Sequence, residues 1–275
     1  MSVLITPEAL QAQLQTSHPP LLLDCRAFRQ NSPEAAVTLP GSRRFDLERD
    51  MSAAPGTGGR HPLPTKTAFT ATLSHLGVTA GRAVVVFDDQ GGRLAAARGW
   101  WMLACWAGHP DVRVLDGGIQ AWQTAAGETA PLAPDDGSPE AVAGAAAWQP
   151  DYHDTAWIGL ERLATEGGQL IDARAASRFR GEEEPLDPVA GHIPGALCHP
   201  CADNLAADGR FQSPAALAAA LPQAERLTAY CGSGVTACHN ILAYAVAGLA
   251  LPRLYVGSWS EWIEDAGRPV ATGPA

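Results

Sequence analysis

Cys231 closes the run Leu227-Thr228-Ala229-Tyr230 and is followed by Gly232-Ser233-Gly234-Val235-Thr236-Ala237. The run reads as a buried strand that delivers a sulfur to a short loop. Two glycines let that loop adopt backbone angles closed to other residues, and helix-forming residues follow at once. Such a turn points successive N–H groups inward and sets a helix N-terminus beneath the sulfur, and both favour an anion. Gly232, Gly234, Val235 and Thr236 are therefore the predicted substrate-binding backbone. A cysteine in such a cradle is predicted to have a depressed pKa and to act as a thiolate nucleophile in covalent group transfer. A solitary cysteine is more often a buried structural thiol; the strand–Cys–Gly-x-Gly–helix setting favours chemistry.

Other residue groups carry weaker signals. Ser233 stands two residues after Cys231, so its hydroxyl can face the same pocket. A cysteine phosphatase needs an arginine six residues beyond its nucleophile; position 237 is Ala, and the loop is a residue short. A non-catalytic scaffold module would not need an intact Cys231 loop. Cys198-His199-Pro200-Cys201 is a C-x-x-C pair, but no second pair completes a zinc site. It follows a predicted strand at Gly195-Ala196-Leu197, so two structural thiols are the preferred reading, with a protective or regulatory disulfide as the alternative. Cys238 falls inside the predicted helix and reads as core. Gly91-Gly92 has no Gly-Lys-Ser/Thr after it and makes no nucleotide loop.

The elements that must position these residues occur twice. In the first half, Leu21-Leu22-Leu23-Asp24, the turn Pro40-Gly41, the strand run Ala83 to Asp88, a helical stretch Leu94 to Trp106 and Val112 to Leu115 follow in order. In the second, Leu170-Ile171-Asp172, Pro194-Gly195, Leu227 to Tyr230, a helix Val235 to Ala247 and Arg253 to Val256 repeat it. Asp24-Cys25-Arg26 answers Asp172-Ala173-Arg174, and Gly117 and Trp122 answer Gly257 and Trp262 at an offset of 140. Duplication follows, and strands alternating with helices predict two α/β domains with mainly parallel sheets flanked by helices. Residues 123–150 are rich in Ala, Pro, Gly and acids without apolar period. The expected division is 1–130, a linker over 131–150, and a catalytic domain over 151–275.

Of 275 residues, 46% are hydrophobic and 17% charged, enough apolar material for buried cores and unlike a disordered chain. A net charge of −10 argues against nucleic acid as the partner. Glu182-Glu183-Glu184 reads as a solvated acidic loop. No secretory leader or membrane-length apolar run is read; Ala243 to Leu251 is short and is expected to be a buried helix end. The expectation is a cytoplasmic protein whose six cysteines are mostly reduced thiols.

Cys231-Gly232-Ser233-Gly234-Val235-Thr236-Ala237 resembles the active-site loop of the 3-mercaptopyruvate sulfurtransferases of the tandem-domain rhodanese family. Phe45-Asp46-Leu47, Arg60-His61-Pro62-Leu63-Pro64, Trp100-Trp101, Asp116-Gly117-Gly118, Asp172-Ala173-Arg174, Arg178-Phe179-Arg180-Gly181, Gly191-His192-Ile193-Pro194-Gly195 and Gly257-Ser258 resemble further landmarks in the family's order. The resemblance implies two rhodanese-like domains and one active site, mainly in the C-terminal domain and at the domain interface. The N-terminal counterpart of the cysteine loop, Asp88-Asp89-Gln90-Gly91-Gly92, has no thiol.

It also implies sulfur transfer in two steps, without metal or organic cofactor. Cys231 takes sulfur from a small-molecule donor as a persulfide and passes it to a thiol acceptor, such as a thioredoxin or a low-molecular-weight thiol, or to cyanide. Mercaptopyruvate is the implied donor. Thiosulfate is the alternative, although the thiosulfate enzymes carry basic residues where Gly232 and Ser233 stand. Arg180 matches the arginine that binds the donor carboxylate, against a reading as a surface residue paired with Glu182 to Glu184. Asp46, His61 and Ser233 match a relay able to polarise the donor; His61 can equally be a loop histidine. The family often places a second arginine where Pro185-Leu186-Asp187 stands here, so a carboxylate anchor is absent or replaced.

Overall fold

The runs Leu21–Asp24 and Val84–Phe87 become central strands buried at every position, and Gln169–Asp172 and Leu227–Tyr230 are buried at all but the first, as strands covered on both faces require. In the computed structural model, which describes residues 2–26, 37–56, 58–132 and 148–274, the chain divides into two units. One comprises Met1–Met51, Pro64–His153 and Ala207–Arg210; the other comprises Ser52–Leu63, Asp154–Ala206 and Phe211–Ala275. The segment carrying His61 thus packs with the second unit. The expected linker lies largely outside the described residues, at 133–147.

The first unit holds β1 (Leu4–Ile5), α1 (Pro7–Leu14), β2 (Leu21–Asp24), β3 (Val37–Thr38), β4 (Arg43–Arg44), α2 (Lys66–His75), β5 (Val84–Phe87), α3 (Ala95–Trp100), β6 (Val112–Leu115), α4 (Gly118–Thr124) and β7 (Ala130–Pro131). Five strands form a parallel sheet ordered β1-β6-β5-β2-β4. Thr6 and Thr65 cap α1 and α2 by accepting the N–H of Ala9 and Ala68. The helix expected to run from Leu94 to Trp106 changes character midway. Trp101–Trp106 winds as a π-helix, and the N–H of Ala107 reaches back five residues to the Met102 carbonyl.

The second unit holds β8 (Trp157–Ile158), α5 (Leu160–Glu166), β9 (Gln169–Asp172), α6 (Ala176–Phe179), β10 (Leu197–Cys198), α7 (Pro214–Ala220), β11 (Leu227–Tyr230), α8 (Ala237–Ala247), β12 (Arg253–Tyr255) and α9 (Ser258–Trp262). Its parallel sheet runs β10-β9-β11-β12-β8. In both units the first strand is an edge beside the last, followed by the strand that leads to the loop at Asp88 or Cys231. The two α/β sheets are the predicted duplication.

Local contacts repeat as well. Arg26 Nη2 lies 2.6 Å from Asp24 Oδ2, and Arg174 Nη2 lies 2.6 Å from Asp172 Oδ2; all four side chains are buried. The carbonyls of Asp88 and Cys231 accept the N–H of Ile119 and Trp259, and these two donors are again 140 positions apart.

α8 is anchored by a buried polar network. Asn204 Nδ2 donates to Asn240 Oδ1 (2.8 Å), Asn240 Nδ2 donates to the His199 carbonyl (2.9 Å), and Asn204 Oδ1 lies 2.9 Å from His199 Nε2. The helix ends at Gly248, whose φ of +71° is the left-handed cap, with the Leu249 N–H bonded to the Tyr244 carbonyl. The apolar run to Leu251 is therefore not wholly buried helix; Leu251 lies beyond the cap and is exposed. Among the described residues no helix is long and apolar enough to cross a membrane.

Candidate active site

β11 delivers Cys231 to a turn at the N-terminus of α8, and the residue is buried. Its N–H donates to Ser258 Oγ (3.1 Å), which in turn donates to the Tyr255 carbonyl (2.9 Å). Ser258 holds φ at +55°, a left-handed conformation that a serine adopts only at a cost. The strained residue brings its hydroxyl beneath the cysteine backbone. Gly234 has φ of +75°, so the predicted glycine freedom is used there. Gly232 is needed for space instead. A Cβ on it would lie 2.9 Å from Arg60 Nη2 and 3.6 and 3.8 Å from Arg178 Nη2 and Nη1.

The two duplicated loops differ in what fills them. In the first unit the Asp88 carboxylate accepts the N–H groups of Gln90 (2.9 Å), Gly92 (2.8 Å), Leu94 (3.2 Å) and Ala96 (3.2 Å). That loop is an anion nest occupied by its own side chain. In the second unit a thiol replaces the carboxylate. Among the described residues, the N–H groups of Gly232, Ser233, Val235 and Thr236 donate to no protein acceptor. Thr236 stands before α8 without a side-chain cap.

Ser233 Oγ and His61 Nδ1 are 2.7 Å apart, so the structure brings together two of the three predicted relay residues. The His61 strap is fixed by its backbone: the Gly59 N–H donates to Glu264 Oε1 (3.1 Å) and the Arg60 N–H to Ser260 Oγ (3.1 Å). Gly59, at φ +85°, leaves no room for a side chain; a Cβ would lie 2.6 Å from the Gly257 carbonyl oxygen. Asp46 belongs to the first unit. There its carboxylate accepts from Arg44 Nη2 (2.7 Å) and from the N–H groups of Glu48 (2.9 Å) and Arg49 (3.1 Å).

Arg180, the expected donor-binding arginine, does not face the cysteine loop, and Arg178 does. Arg180 caps the end of α6 and turns outward, where Nε pairs with the exposed Glu182 at 2.6 Å. Arg178, two positions back and so on another side of the helical turn, is the one whose guanidinium faces Gly232. Glu184 departs from the expected solvated acidic loop. Its carboxylate is buried, 2.6 Å from Arg178 Nη2 and 3.3 Å from Arg174 Nη1, and it accepts the N–H groups of Leu186 and Asp187 (each 3.1 Å). Burial raises the Glu184 pKa, but the Arg178 hydrogen bond, the two backbone N–H groups and the Arg178 charge outweigh it and hold the pKa below the ordinary value.

Asp187 bridges the two arginines, pairing with Arg60 Nη1 and, at 3.3 Å, with Arg178 Nη2. Sequence reasoning assigned no role to Arg178, Arg60, Asp187 or Ser258. All four lay within singled-out stretches, and for Arg60 the adjacency to His61 was the available signal. Cys198 and Cys201 are not joined by a disulfide, and burial pushes the Cys198 thiol up to about 11. Cys238 is buried in α8, as expected of a core thiol.

Two parallel α/β units, the second with Cys231 in the loop where the first has Asp88, define a duplicated α/β protein with one thiol loop, and comparison with known proteins gives its family. The Rhodanese-like domain matches residues 6–125 and again 159–265. The chain therefore belongs to the rhodanese family and is a sulfurtransferase. It is 47% identical over 289 residues to the "Probable 3-mercaptopyruvate sulfurtransferase" of Pseudomonas aeruginosa, covering 98% of each chain. It is 33% identical to the thiosulfate sulfurtransferase of Gallus gallus, covering 83% of this chain and 79% of that one. Among solved structures, the 3-mercaptopyruvate sulfurtransferase from Leishmania major superimposes with a TM-score of 0.80 at 27% identity, covering 95% of this chain and 74% of that one.

Proposed function

We propose that this sulfurtransferase takes sulfur from 3-mercaptopyruvate onto Cys231 and passes it to a thiol. The Cys231 thiolate attacks the donor sulfur. The donor's carbon–sulfur bond breaks, and its electron pair stays on carbon as the enolate of pyruvate. The donor thiol proton ends on that carbon, so pyruvate leaves and Cys231 carries an anionic persulfide. An acceptor thiolate then attacks the outer sulfur, forms its own persulfide and releases the Cys231 thiolate. The unspent N–H groups of Gly232, Ser233, Val235 and Thr236 are the cradle for the persulfide charge.

The observation that carries the mercaptopyruvate reading is the Ser233–His61 pair. Thiosulfate has no proton to move and no carbon leaving group to protonate; mercaptopyruvate has both. With His61 Nδ1 as acceptor, Ser233 can draw the donor's thiol proton and return it to the enolate carbon. Arg178 is the cation for the carboxylate. The acceptor in this reading is a thioredoxin or a low-molecular-weight thiol of the cytoplasm, where such thiols stay reduced.

The test is kcat/KM for 3-mercaptopyruvate and for thiosulfate with one acceptor. Mercaptopyruvate should exceed thiosulfate by at least about tenfold, roughly 1.4 kcal/mol of differential transition-state binding. The reverse order would remove the donor assignment.

A further inference from the structure

We propose that Arg60 is a donor-binding residue that, with Arg178 and through Asp187, forms a two-guanidinium clamp for the donor's anionic end beside Cys231. The clamp rests on the reading of mercaptopyruvate as donor, whose anionic end is a carboxylate.

Three observations carry it. First, both guanidiniums converge on one point. The position a Cβ would take on Gly232, the residue next to Cys231, is 2.9 Å from Arg60 Nη2 and 3.8 Å from Arg178 Nη1. A side chain at 232 would occupy the space the clamp faces. Second, those two nitrogens are unspent. Arg60 gives Nη1 to Asp187, and Arg178 gives Nε and Nη2 to Glu184 and Asp187. Among the described residues, Arg60 Nη2 and Arg178 Nη1 donate to no protein acceptor. Third, the Arg60 guanidinium is not alone in docking the strap: beside its Nη1 bond to Asp187, the backbone N–H groups of Gly59 and Arg60 and the His61 ring hold the strap in place.

The chemistry of the pair suits a carboxylate. A planar guanidinium presents parallel donors, and two of them aligned by one buried carboxylate lose little freedom when an anion arrives. Asp187 is the aligning group, with its side chain 3% exposed. Its neighbour Leu186, where a second cation would be sought in the sequence, is neutral and 67% exposed. The cation comes from the other side of the loop, from the residue preceding His61.

The experiment compares wild type, Arg60→Met and Arg60→Lys on three donors with one acceptor. The donors are 3-mercaptopyruvate; mercaptoacetone, which has the same thiol and ketone but a methyl group for the carboxylate; and thiosulfate. Arg60→Met should lose about 10- to 100-fold in kcat/KM for mercaptopyruvate, mainly through KM, and less than about threefold for mercaptoacetone. Arg60→Lys keeps the charge without the fork and should fall between; it supplies the same comparison should Arg60→Met fold poorly.

Equal losses on mercaptopyruvate and mercaptoacetone would make Arg60 a support for His61 and overturn the clamp, as would no loss on either. A wild type that prefers thiosulfate, with Arg60→Met cutting that activity at least about tenfold, would remove the donor assignment and keep Arg60 as the anion anchor. A thiosulfate preference untouched by Arg60→Met would remove both.

Discussion

His61 Nδ1 lies 2.7 Å from Ser233 Oγ, although 172 positions of chain separate the two residues. The pair places an imidazole nitrogen against a hydroxyl two residues from Cys231. If it moves the donor proton, Ser233→Ala and His61→Asn should each lower kcat/KM for mercaptopyruvate by about 10²- to 10⁴-fold. Thiosulfate turnover should change by less than about threefold, since that donor needs no proton moved. Steady-state rates on both donors check this; equal losses would assign the pair a merely structural role.

Cys231→Ser should abolish sulfur transfer while leaving the fold intact. The residue's N–H bond to Ser258 Oγ belongs to the backbone and survives the change. Thermal unfolding should shift by no more than about 3 °C, the size of a change of about 1 kcal/mol in a chain of this length. Intact-mass spectra after incubation with donor should show one added sulfur on wild type and none on the variant.

The thiols whose pKa is raised should react slowly whatever their exposure. Cys198 is half-buried, yet burial and the Asp172 carboxylate push its pKa up to about 11. Cys105 is pushed up to about 12 by burial, and Cys25 well above its ordinary value. A raised thiol pKa leaves the neutral, unreactive form at neutral pH. Limited iodoacetamide treatment at pH 7.5 should label Cys231 before Cys198, and Cys198 should gain reactivity only as pH approaches about 11. Peptide mapping reads the order, and early labelling of Cys198 would contradict it.

Glu184 ties stability to acid pH. Its pKa is held below the ordinary 4.5 in the folded protein, so its ionised form favours folding. That contribution is complete above about 4.5 and is lost as pH falls through the lower folded-state value. Glu184→Gln should be less stable than wild type at pH 7, because Arg174 and Arg178 lose a buried partner. The gap should narrow as pH drops below about 4.5. Urea unfolding across pH 3 to 7 measures both; a gap independent of pH would mean that Glu184 titrates alike in both states.

Much of the molecule was legible in the amino-acid sequence because it depends on local pattern. The apolar runs Leu21 to Asp24 and Val84 to Phe87 could only be doubly covered strands, and they sit at the centre of a parallel sheet. The repeat of Asp24 and Arg26 as Asp172 and Arg174 announced a duplicated fold, since a buried ion pair two residues long needs the same surroundings twice. Cys231 with its glycines declared an anion cradle, because positive φ and a helix N-terminus are local properties.

What tertiary structure decided was direction and distance. Arg178 and Arg180 are equivalent as letters, and only the turn of α6 sends one toward Gly232 and the other to Glu182 at the surface. Glu184 sits in an acidic stretch that reads as solvated, yet its carboxylate is buried against Arg174 and Arg178, and nearby Asp187 is buried against Arg60 and Arg178. The strap bearing Arg60 and His61 reaches the second unit by backbone bonds to Ser260 and Glu264, contacts some 200 positions apart that no local periodicity encodes. Residue types and spacing settled which chemistry the chain carries. Which arginines face the cysteine loop, and that His61 meets Ser233, was left to the packing, because a side chain's partner depends on where long-range contacts bring the backbone.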